Sequence, residues 1–294
     1  MATISLAYKV VYDKIMESLD KGVVPWKKTW TSGIPYNGKS KHAYRGINYW
    51  ILICSGYSDP RWYTFKQITE MGGNVKGEKS TPVIFWTFFE KEDDKGNMKK
   101  VPWLKYYSVF NAQQVHGIDL PKLGTRDAEK NFTAEAIVAG YEDCPEIIYG
   151  KPQASYNPRT DTVNMPNQNT FDSDDNFYAT LFHELAHSTG AEKRLNRDGI
   201  VKHDGFGSTN YSAEELVAEL SSAFLSHQAG IESTLELSAS YIEGWKKVFA
   251  NDPKILVQSA GKAQKACDYI LGVEKDTSEV EAEVTSAVEG AFVA

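Results

Sequence analysis

The residues best suited to chemistry are His183, Glu184 and His187, which form the motif H-E-x-x-H. On a helix, residues four apart lie on one face, so the two imidazoles can bind one metal ion. Glu184 lies beside them and is placed to take a proton from a metal-bound water. This pattern is typical of metal-dependent peptidases. The alternative is an incidental histidine pair on a helix surface, and the flanking sequence distinguishes the two.

The flanking sequence predicts one helix that carries the motif. Residues Asp172–Asp175 supply candidate N-cap residues and acids for the first turn, and Gly190 suits the position just past the helix end. Phe177, Leu181 and Leu185 recur every four residues and form an apolar stripe. Because both histidines fall away from this stripe, we expect them to face a cleft.

A catalytic metal usually takes three protein ligands and keeps one position open. A second predicted helix begins at Tyr211 and carries Glu215 and Glu219, four residues apart on a polar face. One carboxylate can be the third ligand, and the other can orient a ligating histidine. Ser212 followed by Glu215 is also a capping-box pattern, which would assign Glu215 to the helix start. Tyr211 can donate a hydrogen bond to an oxyanion, or it can be a buried structural side chain.

The ligand types indicate the metal. Two histidines and one carboxylate suit Zn²⁺, and Mn²⁺ or Co²⁺ can occupy the same ligands. A metal-dependent nuclease would favour a site richer in carboxylates, so these ligands suit nuclease chemistry poorly.

Charge is distributed unevenly along the chain. Residues 1–117 contain 17 Lys and Arg against 10 Asp and Glu, and the remainder contains 15 against 29. Balances of +7 and −14 therefore make up the net charge of −7. We expect the basic part to attract a polyanion, and the acidic part to discourage nucleic acid near the metal site.

The basic part also interleaves aromatic rings with cations. Cations follow the phosphates of single-stranded nucleic acid while flat rings stack on unpaired bases, so this combination predicts binding without strong sequence preference. Most aromatic residues of a small domain belong to its core, however, so only a minority are expected to contact nucleic acid. The candidate contacts are Trp26, Lys27, Lys28, Trp30, Lys39, Lys41, Tyr44, Arg45, Trp62 and Lys66.

The patterning predicts an α+β protein with two domains. Helices are expected at 5–20, 46–55 and 132–142, a β-hairpin at 82–89 and 99–110, and short strands within 147–149 and 154–165. The second domain is expected to be mainly helical with a small sheet. The predicted limits are 1–118 for the basic domain, 119–131 for a linker, 132–273 for the second domain and 274–294 for a mobile tail.

Composition narrows the setting. No stretch approaches the length of a membrane span, and the first residues show no signal-peptide pattern. Cys54, Cys144 and Cys267 are odd in number and form no C-x-x-C pair, which favours buried, reduced thiols. These features predict a cytoplasmic protein without a membrane partner.

The runs 182–190 and 211–224 resemble the peptidase domain of ArdC-type antirestriction proteins, which are carried on conjugative plasmids. That domain is similar to Spartan/SprT-like and ImmA/IrrE-like zincins. The resemblance implies that Glu215 is the third ligand, whereas Glu219 stands where Asn or Asp is more usual. The runs 25–30, 44–48 and 107–114 are similar to the N-terminal domain of the same family, which implies non-specific binding of single-stranded DNA. A similar domain opens some plasmid-encoded primases.

Together these features imply an antirestriction protein that binds single-stranded DNA and carries a zinc-dependent peptidase domain. Its substrate is expected to be a protein, which can itself be DNA-bound, and its activity can be latent until DNA binds. It would protect incoming plasmid DNA from host restriction. The alternative is a non-catalytic protein that coats the DNA, with a structural or regulatory zincin domain.

Overall fold

The structure is a computed structural model that describes residues 6–20, 24, 33–92, 98–121, 133–202, 209–232 and 239–273. The chain forms two compact units. The first contains the described residues within 6–15 and 33–121, and the second contains those within 16–24 and 133–273. Both units combine helices with a small sheet, which confirms the predicted α+β class with two domains.

A four-stranded sheet runs through the first unit, in the order β1-β2-β4-β3. Its strands are β1 (Tyr36–Asn37), β2 (Arg61–Thr64), β3 (Thr81–Glu92) and β4 (Met98–Asn111). The pair β1 and β2 is parallel, and the other pairs are antiparallel. β3 and β4 form the predicted hairpin, and residues 93–97 of its turn lie outside the described residues.

The described helices before residue 71 are α1 (Leu6–Asp20), α2 (Ile47–Ile53) and α3 (Phe65–Glu70), and residues 6–15 of α1 belong to the first unit. α1 and α2 confirm the helices predicted for 5–20 and 46–55. One core cluster joins Leu52 of α2 to Trp62 and Val109 of the sheet. A second cluster joins Ile68 of α3 to Tyr63 and Phe110.

The second unit is mainly helical, as predicted. Its helices are α4 (Ala134–Gly140), α5 (Asp174–Ser188), α6 (Asp198–Val201), α7 (Thr209–Ala229), α8 (Ala239–Asn251) and α9 (Lys254–Ile270). A three-stranded sheet in the order β5-β7-β6 contains β5 (Glu146–Ile148), β6 (Ser155–Asn157) and β7 (Thr162–Asn164). α4 and these strands confirm the elements predicted for 132–165.

The core of the second unit lies between α5, α7, α9 and the sheet. It includes Val163, Phe177, Leu181, Leu185 and Leu225, all at most 3% exposed. The apolar stripe predicted for the motif helix is therefore buried. Among the described helices, none combines the length and apolar character needed to cross a bilayer.

The remaining sequence predictions had different outcomes. Ser212 lies inside α7, three residues after its start, so the capping-box interpretation of Ser212 and Glu215 is wrong. The predicted linker lies outside the described residues from 122 onward, and the predicted tail from 274 onward does so entirely. Cys54, Cys144 and Cys267 form no disulfide bond with one another; Cys267 is buried as predicted, whereas Cys54 and Cys144 are only partly buried.

Candidate metal centre

The local sequence of α5 fixes the direction of the two histidines. The Ser173 side chain caps the helix by accepting a hydrogen bond from the Asn176 amide at 3.2 Å, and two acids occupy the first turn. The apolar stripe turns one face of α5 into the core. His183 and His187 therefore lie one turn apart on a different face.

α7 packs against that face because small residues line the contact. Ala186 and Ala218 are fully buried, and the Ser222 hydroxyl donates to the Ala179 carbonyl of α5 at 2.6 Å. Small side chains allow two helix backbones to approach closely, since little volume separates them. The close approach brings Glu215 of α7 to the histidines.

Three ligand atoms meet at one point. The two Nε2 atoms of His183 and His187 lie 3.1 Å apart. The Glu215 carboxylate places Oε2 3.5 Å from His183 Nε2 and Oε1 3.7 Å from His187 Nε2. Two nitrogens bound to one tetrahedral zinc ion at about 2.0–2.1 Å would be separated by roughly 3.3 Å. The spacing and the donor types fit a divalent metal ion held by these three residues.

Each histidine also has a carboxylate at its other nitrogen. Glu219 Oε1 lies 3.6 Å from His183 Nδ1, and Glu214 Oε1 lies 3.3 Å from His187 Nδ1. A carboxylate at Nδ1 accepts the proton there, which leaves Nε2 with a lone pair for a metal. Glu219 therefore lies where an orienting carboxylate is expected, and Glu214 is a second one that sequence reasoning missed.

Electrostatics couple these side chains. Burial lowers the pKa of His183, but the hydrogen bond with Glu215 and the charge of Glu219 outweigh it and raise the pKa to about 9. Burial raises the pKa of Glu215, but its contacts with His183 and His187 lower it to about 2. Burial likewise raises the pKa of Glu214, and His187 and Arg197 together bring it below its ordinary value. The lowered pKa values keep Glu214 and Glu215 ionised, and their negative charge favours binding of a metal cation.

Two further predicted residues lie at this centre. Glu184 is 8% exposed, and its charge contributes to the raised pKa of His183. Tyr211, half-buried one turn before Glu215, hydrogen-bonds to the Glu215 carboxylate. That bond supports the Glu215 carboxylate, and donation from Tyr211 to an oxyanion stays a prediction.

A residue that sequence reasoning missed connects the centre to the loop after α5. Arg197 is 5% exposed and pairs with Glu214, its Nη2 lying 2.6 Å from Oε1. An arginine in a polar loop carries no sequence signal for this position. Glu214 did carry one, because it is a charged residue next to Glu215 in an otherwise apolar stretch of α7.

The predicted DNA contacts divide into three groups. Trp26, Lys27, Lys28 and Trp30 lie outside the described residues. The cations Lys39, Lys41, Arg45 and Lys66 are exposed on the first unit. Lys39 forms an ion pair with Glu70 at 2.6 Å, and Lys41 Nζ lies 5.5 Å from the centre of the Tyr36 ring.

The third group consists of two buried aromatic residues. Tyr44 is 6% exposed and Trp62 is 1% exposed, and both belong to the core cluster between α2 and the sheet. Their predicted role as rings that stack on bases is wrong, because neither ring presents a face to solvent. β2 buries three consecutive side chains, Arg61, Trp62 and Tyr63, so a basic residue next to Trp62 in the sequence does not place the ring at the surface.

Comparisons with known proteins cover both units. Residues 5–110 match the family described as the N-terminal domain of anti-restriction factor ArdC, and residues 120–262 match the zincin-like metallopeptidase family. Two DNA primases of Escherichia coli, both named TraC, are 35% and 34% identical over 91% of this chain. The chain spans only 27% and 20% of their lengths.

Solved structures give the same result over more than nine tenths of the chain. The antirestriction ArdC protein from the R388 plasmid has been crystallised metal-free and bound to Mn(II). The metal-free structure is 33% identical to this chain, with a TM-score of 0.73. The alignment covers 95% of this chain and 99% of the R388 chain. The Mn(II)-bound structure is 34% identical with a TM-score of 0.75, covering 92% and 98%. This chain therefore belongs to the ArdC family of antirestriction proteins.

Proposed function

We propose that this protein binds single-stranded DNA through its first domain and hydrolyses peptide bonds at a divalent metal centre in its second. In this way it protects incoming plasmid DNA from restriction in the cytoplasm. The observation that carries the proposal is the convergence of His183, His187 and Glu215 on one point, with Glu184 beside them. The first domain corresponds to residues 1–118 and the second to residues 132–273.

His183, His187 and Glu215 would hold Zn²⁺ or Mn²⁺. Two imidazoles and one carboxylate suit either ion, and the similar R388 protein binds Mn(II). When bound, the ion supplies Lewis acidity at this point. Among the described residues, three side chains can hold the ion, which is the number typical of a catalytic site rather than of a closed structural site.

The chain's own residues then have separate tasks. The Glu184 carboxylate takes a proton from the attacking water and delivers it to the leaving amine. Glu214 and Glu219 hold the Nδ1 protons of the histidines. Tyr211 holds the Glu215 carboxylate by a hydrogen bond. The proposed substrate class is protein, because the H-E-x-x-H motif is typical of metal-dependent peptidases.

Support for the DNA partner comes from the first domain. It matches the ArdC N-terminal family, and it carries an excess of basic residues with exposed Lys39, Lys41, Arg45 and Lys66. A cationic surface binds phosphates without reading sequence. The second part of the chain is acidic, which directs the DNA to the first domain.

The decisive experiment measures proteolysis by purified protein, with self-cleavage and casein cleavage as readouts. Wild type and Glu184→Gln are compared with and without single-stranded DNA, and with and without EDTA. Cleavage should require metal, and Glu184→Gln should reduce it by at least about 100-fold because the proton acceptor is lost. DNA binding by the variant should equal that of wild type.

Each alternative outcome has a meaning. Cleavage only in the presence of DNA would show that the peptidase is latent until DNA binds. Absence of cleavage under every condition, with tight DNA binding retained, would refute the peptidase and favour protection by coating. Cleavage by Glu184→Gln at the wild-type rate would refute the assigned role of Glu184.

A further inference from the structure

The loop after α5 returns to the helix that it leaves. The Gly190 amide donates to the His187 carbonyl at 2.8 Å, and the Arg197 amide donates to the Gly190 carbonyl at 2.9 Å. The Arg197 side chain then lies against the end of α5, where Nη2 donates to the Ala186 carbonyl and Nη1 to the Thr189 hydroxyl. These bonds leave the guanidinium 5% exposed and fixed relative to His187.

The same guanidinium grips a carboxylate of α7. Nε donates to Glu214 Oε2 at 2.9 Å, and Nη2 donates to Oε1 at 2.6 Å. Glu214 Oε1 in turn lies 3.3 Å from His187 Nδ1. Arg197 of the loop therefore contacts Glu214 of α7, which in turn contacts His187 of α5. We call this series of contacts the arginine clamp.

A gain in folding stability is a poor explanation for a buried ion pair of this kind. Burying two charges costs several kcal/mol per ion by general estimates, and an apolar pair of similar volume often stabilises a protein as well. A fork of two hydrogen bonds does, however, fix the orientation of a carboxylate. A fixed Glu214 accepts the Nδ1 proton of His187 and points its Nε2 toward His183 and Glu215.

The two histidines are held unequally. Glu219, the carboxylate beside His183, is 20% exposed, and its Oε1 lies 3.6 Å from Nδ1. Glu214, the carboxylate beside His187, is 5% exposed and held by the clamp. The clamp is therefore built specifically around His187.

We infer that Arg197 is a positioning residue for the metal centre, acting through Glu214 to set the ring orientation and the Nδ1–H tautomer of His187. This inference rests on the proposed function, because it assumes that His187 is a metal ligand. Within the described part of the chain, the side-chain hydrogen bonds of Arg197 go to Glu214, Thr189 and Ala186, and none goes to a ligand atom.

The chain offers a matched control in Arg194. It comes from the same loop, its side chain is 1% exposed, and it pairs with both oxygens of Asp161 at 2.7 and 2.9 Å. It also donates to the Ser188 carbonyl of α5. Arg194 is thus as buried and as firmly paired as Arg197, but its carboxylate partner is not bonded to a histidine.

The test measures the Kd of full-length protein for Zn²⁺ and for Mn²⁺ by competition with a chelator. Arg197→Lys keeps the charge and loses the fork, and Glu214→Gln keeps the shape and loses the charge. Both should raise the metal Kd by about 10- to 100-fold. Arg194→Lys should leave it within about twofold while lowering the unfolding temperature, because it loses only a structural pair.

A second measurement separates positioning from folding. The ¹⁵N chemical shifts of the His187 ring in metal-free protein report the tautomer, and circular dichroism of the same metal-free protein reports the fold. Folded variants should show a loss of the single Nδ1–H form of His187, while Arg194→Lys should not. If Arg197→Lys and Glu214→Gln fold and bind metal as wild type does, the positioning role of Arg197 is refuted, whereas the proposed metal centre is not. If wild type binds neither ion, the proposed function and the clamp are both refuted.

Discussion

At the scale of residues, three carboxylates within two turns of α7 have three different partners. Glu215 faces both Nε2 atoms, Glu214 faces His187 Nδ1 and Arg197, and Glu219 faces His183 Nδ1. Their side chains are chemically identical, so the roles follow from which nitrogen each one meets. In the proposed centre, each Nε2 atom would bind the metal, and each Nδ1 atom would donate to the carboxylate that orients its ring.

Metal binding at this site should depend on pH. His183 has a pKa of about 9, so at pH 7 a metal ion must displace its proton. Affinity for Mn²⁺ should therefore rise by about tenfold per pH unit from pH 7 toward pH 8.5. Calorimetric titration at several pH values checks this, and a Kd that stays constant over that interval would contradict the assigned pKa.

The same pKa has the opposite effect on the metal-free protein. A pKa raised from 6.5 to about 9 contributes stability that is complete below pH 6.5 and lost as pH rises through 9. Glu215, lowered from 4.5 to about 2, contributes stability that is present above pH 4.5 and lost as pH falls through 2. Without metal, the unfolding temperature of the second unit should be highest between about pH 4.5 and 6.5. A maximum above pH 8 would contradict the charged pairing of His183 and Glu215.

At the scale of elements, the site depends on how closely α5, α7 and the following loop pack. Gly190 shows this most directly. A Cβ atom at this position would lie 2.6 Å from Ile200 Cγ1 and 2.9 Å from Arg197 Nη2. The glycine is therefore required by the close approach of the loop that carries Arg197, in addition to its place after the helix end.

Substituting Gly190→Ala should destabilise the second unit by about 1–3 kcal/mol, because overpacking forces neighbours out of position. It should also weaken metal binding, since Arg197 would move. Chemical denaturation and metal titration measure the two effects. The matched control is Gly261→Ala in α9, where a Cβ meets nothing within 4 Å and alanine should stabilise the helix by about 0.5–1 kcal/mol. Equal stability of the two variants would contradict the packing argument.

At the scale of the whole molecule, opposite charge separates the two tasks. In the proposed function, the excess of basic residues in the first part would attract DNA, and the acidic second part would supply carboxylates to a metal. The two properties should therefore be separable by mutation.

Removal of exposed cations from the first unit should weaken DNA binding alone. Lys41→Ala and Lys66→Ala should each lower affinity for single-stranded DNA of any sequence. Each should also reduce the slope of log Kd against log salt by about 0.7, because one counterion fewer is released. Fluorescence anisotropy at several salt concentrations measures this. The control is Lys262→Ala, an exposed lysine of α9 in the second unit, which should leave affinity and slope unchanged. A control effect as large as that of Lys41→Ala would place the DNA elsewhere.

The sequence by itself determined the elements and the metal motif. A cap at Ser173, an apolar stripe and H-E-x-x-H agree on one helix, and local hydrogen bonding with 3.6-residue periodicity is sufficient to specify it. Two runs rich in aromatic and β-branched residues on either side of a polar turn predicted the hairpin in the same way. These features depend on residues that are close together in the sequence, so they can be predicted without knowledge of the tertiary structure.

Only the tertiary structure decided which polar side chains share the site and which aromatic rings are buried. Glu214 and Arg197 meet His187 from two different elements, and no spacing along the chain encodes that meeting. Trp62 has lysines and arginines near it in sequence, yet it is buried because α2 covers that face of the sheet. Burial depends on what packs against a residue from distant parts of the chain, and so it becomes visible only when the chain is folded.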